Sequence, residues 1–275
     1  MVSTPAAPNG QSADSQHNAK RNHPPDDEME AATMKAMEVF IYPDKESLAK
    51  AAAKLIADTV RDKPDAVLGL ATGSTPVPTY RELARLNREG EISFKQVCTF
   101  NLDEYAGMDP QHPQSYRRFM NEQLFNHIDI DPANTHVPSG FADADGAADY
   151  DAQIEAAGGV DLQLLGIGHD GHIGFNEPDD TFSRVTHIVD LTEITRQANA
   201  RFFDSVDEVP TRAVTMGIGT IMRARKILMI VTGADKADTV RAMLQGPVTP
   251  RLPASVLALH QNVVVMLDEE AASRL

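Results

Sequence analysis

An α/β fold built on a mostly parallel sheet, with helices on both faces, follows from three features of the sequence. Short β-branched and apolar runs recur along it, amphipathic stretches of helical period lie between them, and glycine-rich junctions separate the two. The first run is Val39-Phe40-Ile41, and residues 47–60 follow with Leu48, Ala52, Leu55, Ile56 and Val60 at helical spacing, giving strand and then helix. Further strands are expected over residues 66–71, 97–102, 160–167, 185–189, 213–217, 227–231 and 263–267. Helical patterns cover residues 78–88, 114–127, 147–157, 195–204, 235–244 and 253–259. No internal repeat and no Pro/Gly-rich linker interrupts the chain after residue 36, so residues 37–275 are expected to form a single domain.

Residues 1–36 differ in texture. They contain no Leu, Ile, Phe, Tyr or Trp and cannot offset their ordering entropy by burial, so they read as a disordered tail. Across the 275 residues, 25 Lys and Arg face 40 Asp and Glu, a formal charge of −15 that disfavours nucleic acid and anionic lipid as partners. One cysteine, Cys98, excludes an intrachain disulfide and fits a reducing, cytoplasmic setting. The longest apolar runs fall far short of the roughly 20 residues that span a bilayer, and the N-terminal residues carry no secretory pattern.

In open parallel sheets ligands bind beyond the carboxyl ends of the strands, so the junctions are where chemistry is sought. The first reads Thr72-Gly73-Ser74-Thr75-Pro76 before a helical period. Unpaired N–H groups at a helix start, a glycine that lets an anion approach, and two hydroxyls suit a phosphate at Gly73, Ser74 and Thr75. An ordinary capped turn accounts for these residues equally well. The spacing is not that of a nucleotide P-loop.

The second junction reads Phe100-Asn101-Leu102-Asp103-Glu104-Tyr105. Adjacent carboxylates at the end of an apolar strand suit a general base or a metal ligand, and equally a turn or cap. The third is Gly166-Ile167-Gly168-His169-Asp170-Gly171-His172-Ile173-Gly174-Phe175-Asn176-Glu177-Pro178. Its four glycines permit tight turns, and its histidines and carboxylates could converge for proton transfer or for a divalent metal. A glycine loop with structurally bonded histidines is the plainer alternative. Two cations, Arg201 and Lys236, are candidate phosphate ligands, since a dianion would be repelled by this chain unless local charge reversed the sign.

Taken together, these segments resemble the glucosamine-6-phosphate deaminase family, also called glucosamine-6-phosphate isomerase. The resemblance covers about the whole chain after residue 38. It is carried by Phe100-Asn101-Leu102-Asp103-Glu104-Tyr105, Gly171-His172-Ile173-Gly174-Phe175-Asn176-Glu177-Pro178 and Ser115-Tyr116-Arg117-Arg118-Phe119-Met120, with support from Ala200-Arg201-Phe202-Phe203, Thr215-Met216-Gly217-Ile218-Gly219-Thr220 and Leu252-Pro253-Ala254-Ser255. It implies a modified Rossmann-like fold and conversion of glucosamine 6-phosphate and water to fructose 6-phosphate and ammonia, with no metal or organic cofactor. It implies that His172 assists ring opening, that Asp103 moves the proton from C2 to C1, and that Asp170 and Glu177 orient His172. It further implies that Gly73, Ser74, Thr75, Arg201 and Lys236 hold the phosphate. The chain resembles the short form of the family, as a monomer or small homo-oligomer. At the positions where activated relatives bind an effector phosphate it has Asp180, Thr181, His187 and Val189, so activation by N-acetylglucosamine 6-phosphate is not expected.

Other readings compete. A 6-phosphogluconolactonase shares the fold and a similar Gly-x-Asp-Gly-His loop. A deaminase of another amino sugar phosphate, such as galactosamine 6-phosphate, differs in side-chain placement that sequence does not reveal. A phosphosugar-sensing module would need a DNA-binding element, and residues 1–36 show no apolar period for one. A metal hydrolase would use His169, Asp170, His172 and Glu177 together.

Overall fold

The computed structural model describes residues 37–275; the tail expected over residues 1–36 lies outside them. In chain order the elements are β1 (Glu38–Tyr42), α1 (Lys45–Asp62), β2 (Val67–Leu70), α2 (Val77–Arg88), β3 (Cys98–Asn101), β4 (Asp103–Tyr105), α3 (Tyr116–Gln123), β5 (Thr135–His136), α4 (Ala144–Ala156) and β6 (Leu162–Leu165). There follow β7 (His187–Asp190), α5 (Glu193–Asn199), β8 (Arg212–Thr215), α6 (Ile218–Ile221), β9 (Ile227–Val231), α7 (Ala237–Gln245) and β10 (Val263–Asp268). Short 3-10 turns extend several of them, and the helix expected over residues 253–259 is 3-10 throughout, as Pro253–Leu259.

Seven strands form one sheet in the order β1-β10-β9-β6-β2-β3-β5. Every pairing in it is parallel. Alternation along each strand sends side chains to two separate cores. Leu68, Leu70, Leu162, Leu164, Leu228, Ile230, Val264 and Met266 face α1, α2 and α3. Val67, Phe100, Leu165, Met229, Val265 and Leu267 face α4, α6, α7 and the 3-10 helix. Both faces are therefore buried, as near-continuous apolar runs require. This is the mostly parallel, helix-covered α/β sheet expected from the sequence.

Two expected strands sit elsewhere. The runs at residues 185–189 and 213–217 supply β7 and β8, which join β4 in a separate three-stranded antiparallel sheet, ordered β4-β8-β7. The correction has a physical cause. A short β-branched run reports burial and pleat, whereas its partner is chosen by long-range packing. The chain passes from one sheet to the other at Leu102, whose N–H donates to Leu70 O of β2 (3.0 Å) while its carbonyl accepts from Met216 N (2.7 Å) beyond β8.

The strand order reverses between β2 and β6: β3 and β5 continue to one side, β9 and β10 to the other. At such a switch point the loops leaving the carboxyl ends splay apart and leave a crevice. The four adjacent strands β9, β6, β2 and β3 deliver to that edge the segments following Val231, Leu165, Leu70 and Asn101. All three glycine-rich or acidic junctions, and Lys236, are on them. The turn after β2 is braced by Tyr80, fully buried on α2. Its hydroxyl donates to Ala71 O at 2.5 Å and accepts from Ala71 N at 3.3 Å.

Replacing Tyr80 by Phe should leave the Ala71 carbonyl without that bond and destabilise the protein by about 1–3 kcal/mol. Urea unfolding measures this directly, and an unchanged midpoint with unchanged slope would show that the turn does not depend on the clamp.

Candidate active site

Asp103 opens β4 and is 6 % exposed. No described residue donates a hydrogen bond to its carboxyl. Burial, and after it the charge of neighbouring Glu104, pushes that carboxyl up to about 8. Glu104 points to the other side of the strand. Its Oε1 accepts from Tyr105 N (2.9 Å) and Tyr116 N (3.0 Å), and its Oε2 accepts from Arg117 N (3.1 Å). The two carboxylates therefore differ in kind: one is bonded into the frame and the other is left open.

The loop after β6 lies against Asp103. Gly174 has a positive φ of 60°, and a Cβ there would fall 2.9 Å from Thr215 Oγ1 and 3.7 Å from Asp103 Oδ2. Thr215 is the cross-strand partner of Asp103 and accepts from Phe175 N at 3.0 Å, joining the loop to the small sheet. Asn176 completes the seam by donating through Nδ2 to Ile173 O and Met216 O, both at 2.8 Å. Thr215 stood in the sequence only as part of a supporting motif and not as a candidate site residue. The usable signal was a threonine ending a strand directly before Met216-Gly217, where a hydroxyl can serve a loop.

His172 and Asp170 stand in the same loop, with side chains 23 % and 22 % exposed and Nδ1 2.7 Å from Oδ1. That contact is short but off the line of a hydrogen bond, so Nδ1 has no in-line partner. The in-line bond that Asp170 Oδ1 accepts comes from His172 N at 3.2 Å. Burial raises the Asp170 carboxyl, but the contacts with His172 outweigh it and hold it below the ordinary aspartate value. The imidazole lies flat on Gly168, where a Cβ would come within 2.2 Å of Cε1 and 2.3 Å of Nδ1. A glycine is required there by close approach rather than by its own dihedrals.

The remaining members of the loop turn away. His169 Nε2 is 2.6 Å from Asp235 Oδ2 at an exposed position. Glu177 accepts from Thr192 N (3.0 Å) and Thr192 Oγ1 (3.2 Å), at the start of α5, and none of its hydrogen bonds goes to His172. Among the described residues, no three or more His, Cys, Asp or Glu side chains are grouped to hold a metal ion, so His169, Asp170, His172 and Glu177 do not form the cluster a metal hydrolase would use.

On the cationic side, Lys236 ends the 3-10 turn leading into α7. Burial pulls its ammonium below the usual lysine value, Asp235 and Asp170 pull it back, and Arg201 pushes it further down. Asp170 and Arg201 are therefore each within electrostatic reach of Lys236. Arg201 is exposed, its guanidinium 4.7 Å from the Phe202 ring centre. The Gly73-Ser74-Thr75 turn has Gly73 at φ 99° and leads into α2, capped by Pro76 with Pro78 in the first turn. A family model of glucosamine-6-phosphate isomerases and 6-phosphogluconolactonases matches residues 43–266.

The chain belongs to this family. A glucosamine-6-phosphate deaminase of Clostridium perfringens is 51 % identical over 241 residues, covering 87 % of this chain and 100 % of the relative. One from Lachnoclostridium phytofermentans is 54 % identical over 235 residues, covering 85 % and 98 %. A solved structure of a monomeric glucosamine-6-phosphate deaminase matches at TM-score 0.85 and 48 % identity, over 87 % of this chain and 100 % of that one. A 6-phosphogluconolactonase from Trypanosoma cruzi matches at TM-score 0.69 and 18 % identity, over 87 % and 97 %, and shares the fold.

Two outcomes follow from this geometry. Gly168→Ala should displace the imidazole, seen as a moved His172 ring resonance in NMR with the remaining fold unchanged; an unmoved ring would refute the close-packing account. Asp103 keeps its proton in the folded state between the unfolded value of about 4 and about 8, so it lowers stability progressively as pH rises through that window. Asp103→Asn removes the penalty. Its advantage in unfolding free energy over the natural protein, read from urea unfolding, should grow by about 1.4 kcal/mol per pH unit above about pH 5 and level off near pH 8, and a constant difference would contradict the raised value.

Proposed function

We propose that the chain is a glucosamine-6-phosphate deaminase, converting glucosamine 6-phosphate and water to fructose 6-phosphate and ammonia. The observation that carries this reading is the pairing of an unbonded, buried Asp103 with the accessible His172–Asp170 couple across the Gly174 contact, in a chain about half identical to deaminases along nearly its whole described length.

Each step has a group suited to it. His172, with Asp170 at Nδ1 and its ring open to the crevice, moves the proton at the pyranose ring oxygen so that the sugar opens. Asp103 then takes the proton from C2 and delivers it to C1. Abstraction α to an imine or carbonyl needs a carboxylate that spends little of its basicity on water, and burial of Asp103 provides that. The resulting C2 imine is hydrolysed by water to the ketone, with ammonia as the leaving group. Glu177, bonded to Thr192, fixes the end of the loop and would orient His172 only through that loop. Backbone N–H groups at Gly73, Ser74 and Thr75, with Lys236 and Arg201, hold the phosphate and fix the far end of a flexible open-chain sugar. The protein works in the cytoplasm, without metal or organic cofactor, as a monomer or small homo-oligomer; among the described residues no helix is long and apolar enough to cross a membrane.

The test is release of ammonia and fructose 6-phosphate from glucosamine 6-phosphate by the purified protein, with 6-phosphogluconolactone and galactosamine 6-phosphate as parallel substrates. Turnover confined to lactone hydrolysis would overturn the reading. Asp103 must be ionised to act, so kcat/KM should climb as pH rises through about 8 and level off above it. Lys236→Ala should raise KM by about ten- to a hundredfold with a smaller change in kcat, as loss of a charged phosphate contact does. An unchanged KM would place the phosphate elsewhere.

A further inference from the structure

We propose that Glu104 is a positioning residue for Asp103: it ties the strand carrying Asp103 to the start of α3 and keeps a fixed negative charge behind the reactive carboxyl. This rests on the reading of Asp103 as the proton-transfer group.

The geometry is specific. Neighbouring strand residues point to opposite faces, so Asp103 and Glu104 diverge even though their backbones are joined. Glu104 is 2 % exposed and receives N–H bonds from Tyr105, Tyr116 and Arg117. Two of these donors belong to the first turn of α3, which contains no acidic residue of its own. Ser115 Oγ takes a further one, from Arg118 N at 3.1 Å. The helix start is thus closed by a side chain from β4, and the helix in turn holds β4 in place. Arg117 strengthens the frame, donating from Nη1 to Thr135 Oγ1 and from Nη2 to Thr135 O, both at 2.8 Å.

Charge follows from the same contacts. Burial holds the Glu104 carboxyl above the usual glutamate value, and the N–H bonds from Tyr116, Arg117 and Tyr105 with the Arg117 charge offset part of that and favour its ionised form. Asp103 has no such donors. Among the described residues, the ionisable groups within electrostatic reach of it are Glu104 and Tyr105 on its own strand, Tyr116 on α3 and Tyr150 on α4. None of these is a cation, so no positive charge among them offsets the burial of Asp103, whereas Glu104 has its N–H donors and Arg117.

Glu104→Gln keeps the size and removes the charge, and Glu104→Asp keeps the charge and loses the reach. The glutamine variant should move the acid limb of the kcat/KM profile down by about one pH unit and lower kcat by about tenfold, with KM nearly constant. The aspartate variant should leave the limb in place while kcat falls. An unmoved limb in Glu104→Gln, with Asp103→Asn inactive, overturns this inference alone; full turnover by Asp103→Asn would overturn the underlying reading as well. If the glutamine variant does not fold, carboxyl 13C titration of the natural protein decides, with Asp103→Asn for assignment. Ionisation of Glu104 below Asp103 supports the inference, and the reverse order overturns it.

Discussion

Burial of the Asp103 carboxyl is the constraint around which the rest of the molecule is arranged. An aspartate with 6 % exposure and no donor is a costly thing to place in a fold, and it is tolerated where surrounding structure compensates. Here that structure is the crossing at Leu102, which hydrogen-bonds both sheets at once. The large sheet supplies the crevice and its helix-covered stability. The small sheet presents one residue of β4 at the crevice edge and takes up Glu104 on its other side.

The glycine loop after β6 is arranged to the same end. Its positive-φ turns at Gly171 and Gly174 fold it tightly, and its backbone is fastened on several sides. Ala254 N donates to Gly171 O at 2.8 Å, Thr239 Oγ1 to His169 O at 2.6 Å, and Phe175 N to Thr215 Oγ1 at 3.0 Å. A loop held by the 3-10 helix, α7 and β8 together can keep an imidazole in one orientation without the support of a regular element. In the proposed site, Lys236 before α7 and Arg201 beyond α5 supply the positive charge that a phosphate needs in a chain of charge −15.

Much of this was legible in the sequence where burial and period coincide. Runs such as Ile227–Val231 and residues 263–267 read as buried strands because both faces are apolar, and the amphipathic period of α1 and α2 marked them as helices. The acidic pair, the glycine loop and Lys236 were legible as candidates, and they lie at the carboxyl ends of adjacent strands. What was not legible depends on partners distant in the chain. β4 is three residues long, two of them acidic, and is a strand only because β8 pairs with it. β7 and β8 showed their pleat but not their sheet. Likewise, His169 and Glu177 look like members of one cluster in sequence, and only the positions of Asp235 and Thr192 separate them from His172.

In the proposed reaction one buried carboxylate moves a proton between adjacent carbons out of contact with bulk water. Turnover of glucosamine 6-phosphate carrying deuterium at C2 tests it most directly. A primary isotope effect is expected, with a measurable share of the label at C1 of the fructose 6-phosphate, because a shielded aspartic acid exchanges slowly with solvent. Fructose 6-phosphate formed with no isotope effect and with C1 hydrogen drawn wholly from solvent would contradict it.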